Sequence, residues 1–152
     1  MGTKGGDKFQ KALNDIADKI SSEKVRVGFL EGATYPDGKS VPMIAAINEY
    51  GKPDKGQPPR PFFRNMISAK KGEWPAAMGG LLKRNKYDVV KTLKITGKKV
   101  AEQLQQSIID FWFPPLAEST IRRKTAKGAS NPTKPLEDTK HMLQSVDFEI
   151  VN

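Results

Sequence analysis

Between residues 86 and 113 apolar side chains recur with the period of an α-helix. Val89, Val90, Leu93, Val100, Leu104, Ile108 and Phe111 fall on one face, roughly a quarter-turn wide. Lys91, Lys94 and Lys98 fall together on roughly the opposite face. Pro114 and Pro115 then stop the helix, because proline has no amide hydrogen to continue the ladder and its ring clashes with the preceding turn. No other periodic segment is as long. A fold for this chain is therefore expected to pack its remaining elements against one long helix.

The other elements are short. Phe9, Leu13, Ile16 and Ile20 place a helix over 7–20 with Asp7 as its N-cap, after a flexible stretch 1–6. VRVGFL, 25–30, is β-branched and apolar and predicts a strand. Gly, Pro and an Asp-Gly pair make 32–40 a turn or hairpin tip. Ser40 or Val41 precedes Pro42 at the start of a helix that Gly51 closes. A loop over 52–59 leads to a short helix over 61–71, opened by Pro61. WPAAMGGLLKR is ambiguous, since Pro75 can start a helix that Gly79 and Gly80 weaken. LAESTIRRK, 116–124, is a short helix or turn, and 126–134 is a polar, mobile loop. Leu136, Met142 and Leu143 would anchor another short helix, and alternating Val146, Phe148 and Ile150 predict a final strand. The expected fold class is α+β: a single domain, 1–152, with a small mixed or antiparallel sheet packed against one long helix and several short helices.

Composition excludes several function classes. With no cysteine there are no disulfides or thiolate metal sites, and a reducing compartment is the simpler expectation. The single histidine, His141, cannot build a multi-histidine metal centre. No run of about 18 apolar residues exists to span a membrane, and MGTKGGDKFQ lacks the apolar stretch of a secretory signal. The net charge of +9 is unevenly placed. Residues 60–99 carry 11 basic side chains against only Glu73 and Asp88, whereas the flanking segments are near balance. Such a concentration points to a positive surface facing phosphates or an acidic partner.

No catalytic, cofactor or metal site is expected. His141 and Ser145, four residues apart, are the one Ser–His spacing worth naming, and an exposed histidine near a helix end accounts for it. Asp15/Asp18 and Glu137/Asp138 fit helix surface and caps better than a facing pair in a cleft. Neither a GxxxxGK[ST] loop nor GxGxxG occurs. Arg60, Arg64, Lys70, Lys71, Lys83, Arg84 and Lys86, interleaved with Phe62, Phe63 and Trp74, have the composition of a phosphate-contact and stacking surface. No helix-turn-helix, zinc-finger, RRM or KH signature accompanies them, so any DNA contact would be non-specific backbone attraction. Core or interface packing is the preferred reading of Phe62 and Phe63.

Residues 48–64, NEYGKPDKGQPPRPFFR, pose the main question. A lysine-rich loop punctuated by four prolines, with Phe62 and Phe63 between Arg60 and Arg64, suits a nucleic-acid contact, a catalytic loop or a docking element. VRVGFLEGATYPDGKSVPMIAAINEYG, PPRPFFRNMI, PPLAESTIRRK and KPLEDTKHMLQSV together resemble, in order, the head–tail joining and tail-completion proteins of tailed bacteriophages. The resemblance covers most of 25–146. A glycine-containing strand falls on 25–30, an AxxxEfG helix on 45–51, a PxRPFxR block on 58–64, a PLxxsTixrK turn on 115–124 and a PLxDTGxLxxS close on 135–145. In that last motif Lys140 stands where glycine is usual, which puts the local conformation in question.

The resemblance implies a non-enzymatic virion subunit forming a ring at the neck, the tail end or the connector. Its partners would be copies of itself, with a hexamer first and a dodecamer second, together with neighbouring neck, connector and tail-tube proteins. It would be assembled in the host cytoplasm and reside at the neck–tail junction. Arg60, Pro61, Phe62, Phe63 and Arg64 would form a stiff subunit-facing loop, in which the arginines pair with carboxylates across the joint. Lys83, Arg84, Lys86, Lys91, Lys94 and Lys98 would line the lumen, where genomic DNA passes, or dock on an acidic partner. The rival reading is a basic DNA-binding module acting without a ring.

Overall fold

The computed structural model describes residues 4–111, 115–134 and 140–152. Its chain runs α1 (Lys4–Ser22), β1 (Lys24–Phe29), α2 (Val41–Tyr50), a single 3-10 turn (Pro53–Lys55), α3 (Phe62–Lys70), α4 (Trp74–Arg84), α5 (Val89–Asp110), α6 (Glu118–Ala126), α7 (His141–Gln144) and β2 (Val146–Val151). The fold is α+β, with a two-stranded antiparallel sheet on the long helix α5 and shorter helices around it.

Helix α5 organises the molecule. Asp88 caps it, its carboxylate accepting from the Lys91 amide at 3.0 Å. Lys86 and Tyr87 hold φ of 53° and 63°, so the helix begins at Val89 rather than at 86. Those left-handed residues reverse the chain between α4 and α5. The helix ends at Asp110, where Phe111 turns extended. Along its inner side Leu93, Ala101, Leu104 and Ile108 are buried, and Leu104 and Ile108 join Val41, Phe62, Met66 and Met142 in the core.

The sheet pairs Lys24 with Val151 at one end and Phe29 with Val146 at the other. It lies close against α5 because Gly97 has no side chain. A methyl there would stand 2.6 Å from the Phe148 ring and 2.7 Å from Val25. Gly97 is thus the contact point that lets helix and sheet share one core.

Local signals explain the short helices. Ser40 caps α2 by accepting from the Met43 amide, Pro42 occupies the first turn, and Gly51 closes it with φ 76°. Helix α4 forms through Gly79 and Gly80 because Trp74 anchors it, its indole N–H donating to Gln103 Oε1 of α5 at 2.9 Å. Packing outweighs the propensity cost of the glycines here. The segment after α6 turns at Gly128, and the buried Lys124 ammonium reaches the Lys134 carbonyl at 2.6 Å, bridging its two ends. Leu136, expected as an anchor, lies outside the described residues, whereas Met142 is in the core.

Helix α1 departs from expectation twice. It begins at Lys4, so residues 4–6 are helical and Asp7 sits inside the first turn instead of capping it. Its apolar stripe is also not buried: Phe9 is 65% exposed, Leu13 44% and Ile20 53%.

Lys140 adopts φ 63° and ψ 3°, the left-handed conformation that glycine would take without strain. Lys140→Gly is therefore expected to stabilise the protein by about 0.5–1 kcal/mol, the relief of strain exceeding the added freedom of the unfolded chain. Urea unfolding measures it. A loss of stability would mean that the lysine side chain contributes more than its backbone strain takes away.

Candidate functional site

The block 58–64 is held by the end of α2 through a set of specific contacts. Pro61 precedes α3 and has no side-chain acceptor with which to cap it. Glu49 takes that role from α2. Its carboxylate accepts from the amides of Phe63 at 2.9 Å and Arg64 at 3.1 Å, and from Arg64 Nε at 2.7 Å. A second guanidinium nitrogen of Arg64 donates to the Glu49 carbonyl at 3.1 Å, and the guanidinium lies 4.9 Å from the centre of the exposed Tyr50 ring. Glu49 is 5% exposed, and three donors offset the desolvation of its charge.

Asn48 and Gly51 complete the clasp. The Asn48 carbonyl accepts from the Arg60 amide at 2.7 Å, and its side-chain oxygen accepts from Gln57 at 3.2 Å. A Cβ on Gly51 would meet Gln57 O and Pro59 N at 2.7 Å, both backbone atoms. The proline-rich loop can fold back only because this residue is glycine.

These contacts reassign part of the proposed subunit-facing loop. Phe62 is 1% exposed and packs edge-on against Phe29, with ring centres 6.2 Å apart. Its carbonyl accepts from Ser107 Oγ on α5 at 2.7 Å. Phe62 is therefore a core residue, not a surface anchor. Phe63 and Pro61 are half-buried, Phe63 lying over Gly28. Arg64 is committed to Glu49 of its own chain. Arg60 is buried, and desolvation pulls its pKa below the ordinary arginine value. What the block exposes is Pro58, Pro59 and the outer part of Arg64, beside the exposed Tyr50 of α2.

The second group of residues, the six basic side chains, is exposed throughout. Lys83, Arg84 and Lys86 are exposed at the end of α4 and in the turn after it, and Lys91, Lys94 and Lys98 are exposed along α5. None of the six makes an ion pair among the described residues. Lys91 also stands in the first turn of α5, at the positive end of its dipole, where cations are disfavoured. The aromatics once grouped with them turn inward: Phe62 to the core, and half-buried Trp74 to Gln103. A base-stacking surface is not assembled from them.

His141 and Ser145 do not form a nucleophile–base pair. His141 Nε2 donates to the Thr34 carbonyl at 2.7 Å, its ring lies 4.9 Å from that of Tyr35, and Ser145 Oγ donates to the His141 carbonyl. Asp15 and Asp18 are exposed on α1, and Glu137 and Asp138 lie outside the described residues. Among the described residues no three His, Asp or Glu side chains are grouped to hold a metal ion, and no helix is long and apolar enough to cross a membrane.

No family model, curated protein or solved structure matches the chain. Its functional reading rests on its own residues and geometry.

Proposed function

We propose that this chain is a structural, non-enzymatic virion protein of a tailed bacteriophage, forming a ring at the head–tail interface that completes the tail or joins it to the neck. The virion assignment rests on the resemblance carried by residues 25–146, and the observation that supports association is the exposed stripe Phe9, Leu13 and Ile20 on α1. An amphipathic helix that leaves its apolar side in water calls for cover from another chain. A contact between unlike patches of identical chains closes into a ring when its rotation divides the circle. A hexamer is the first expectation and a dodecamer the second. The clasped loop 52–61 supports the same reading, since a loop already ordered in the monomer loses little freedom on assembly.

Size-exclusion chromatography with light scattering, on nuclease-treated protein, tests it. A discrete multimer is expected, and Leu13→Glu on α1 is expected to reduce it to monomer with the fold intact. A chain that stays monomeric at all concentrations would defeat the ring.

A second reading, a basic DNA-binding module acting without a ring, is favoured by the six uncompensated cations around α4 and α5. Within the ring the same face would line the lumen or meet an acidic neighbour. Replacing Lys91, Lys94 and Lys98 together with glutamine is expected to leave folding unchanged and weaken DNA retention or docking, most visibly at low salt. If DNA is the contact, the salt slope of binding should fall by up to about three phosphate contacts. A triple variant that binds and assembles like the parent would reduce the stripe to ordinary surface.

A further inference from the structure

A cleft of about 910 Å³ opens between the 35–39 turn, the 55–60 loop and the first turn of α6. Arg60 forms part of its wall. The residue is 5% exposed, its Nε is buried without a hydrogen-bond partner, and no carboxylate among the described residues pairs with it. Lys55, Arg123 and Lys127 border the same cleft, and none of them makes an ion pair among the described residues. The one acidic side chain of this lining, Asp37, is taken by Lys39 at 2.7 Å and is attracted more weakly by Lys127. Ala117 before α6 supplies no side-chain cap, and Ser119 in that helix's first turn lines the cleft.

A guanidinium taken out of water without a counter-charge is costly, and the cost falls when an anion enters beside it. The planar fork of arginine matches two oxygens of one phosphate or carboxylate. Lysine and arginine at the rim raise the local concentration of such anions. A rigid duplex cannot bring a backbone phosphate down to a side chain so deeply covered, whereas a single small group can enter. We infer that this cleft is an oxyanion-binding site, centred on Arg60 with Lys55, Arg123 and Lys127 at its rim, that takes one phosphate or carboxylate group.

The site lies within a single chain, so its test needs no assembly and does not depend on the ring. Titration calorimetry on the full chain, at constant ionic strength over chloride, would follow inorganic phosphate in one arm and N-acetylglutamate in the other. Saturable one-to-one binding of either supports the site. Tighter phosphate identifies a free phosphate as the natural chemistry, and tighter N-acetylglutamate an acidic side chain. Arg60→Gln is expected to weaken binding about tenfold, the loss of one charge-assisted contact. Because that residue is buried, the exposed double variant Arg123→Gln/Lys127→Gln provides a second readout and is expected to weaken binding while unfolding like the parent. Absence of saturable heat with both anions, or binding unchanged in both variants, would overturn the inference. So would a short DNA duplex that binds the cleft when neither small anion does.

Discussion

Glu49→Ala is expected to destabilise the protein by about 3 kcal/mol. The carboxylate is buried and serves three donors at 2.7–3.1 Å, two of them otherwise uncapped amides of α3. Hydrogen bonds to a charged group contribute about 1.5–3 kcal/mol each, and an orphaned helix cap costs about 1 kcal/mol. The total stays below the simple sum because Arg64, 54% exposed, can turn to water once its partner is gone. For the same reason Arg64→Ala should cost only about 1 kcal/mol. Urea unfolding of both variants gives the asymmetry. Equal losses would mean that the ion pair, rather than the helix cap, is the main contribution of Glu49.

Phe62→Ala is expected to cost about 3–5 kcal/mol, the range for removing a fully buried aromatic and leaving a cavity. The ring is among the largest wholly buried side chains and shares its cluster with Leu104, Ile108 and Met142. Phe63→Ala, at a half-buried position, should cost less than half as much. The pair separates packing from association. A Phe62→Ala monomer as stable as the parent but unable to assemble would return this side chain to the interface. Arg60→Glu places a carboxylate at a buried position and is expected to unfold the chain.

How far the fold could be read from the residues depended on whether the signal was local. The core stripe of α5, the Ser40–Pro42–Gly51 punctuation of α2 and the alternation of β2 are local, and all appear where the pattern put them. The pairing of β1 with β2 is not local, so only the existence of a small sheet was legible. The role of Glu49 was hidden because counting charges treats it as one acid balancing one base. A clue was available: Pro61 opens a helix without offering an acceptor, so its amides had to be served from elsewhere. Arg60 was assigned to a subunit-facing loop on the resemblance, and its burial was not legible because arginine is rarely buried. The stripe on α1 misled in the opposite sense, since helical periodicity says which side is apolar and not whether the same chain covers it.

The register of the sheet sets an order in time. Strand β1 ends at Phe29, and its partner residue Val146 lies more than a hundred positions later in the chain. During synthesis at typical rates β1 waits on the order of ten seconds for the strand that completes it. Meanwhile the inner side of α5 emerges with Gly97 facing no sheet, and the hydrogen-bonding edge of β1 is open to any other nascent chain. On a nascent chain the sheet can close only after β2 has emerged, in a contact that closes a loop of more than a hundred residues and gains nothing until it is made. A chain stopped at Ser145 would contain every helix among the described residues and still leave the α5 surface that receives Phe148 uncovered.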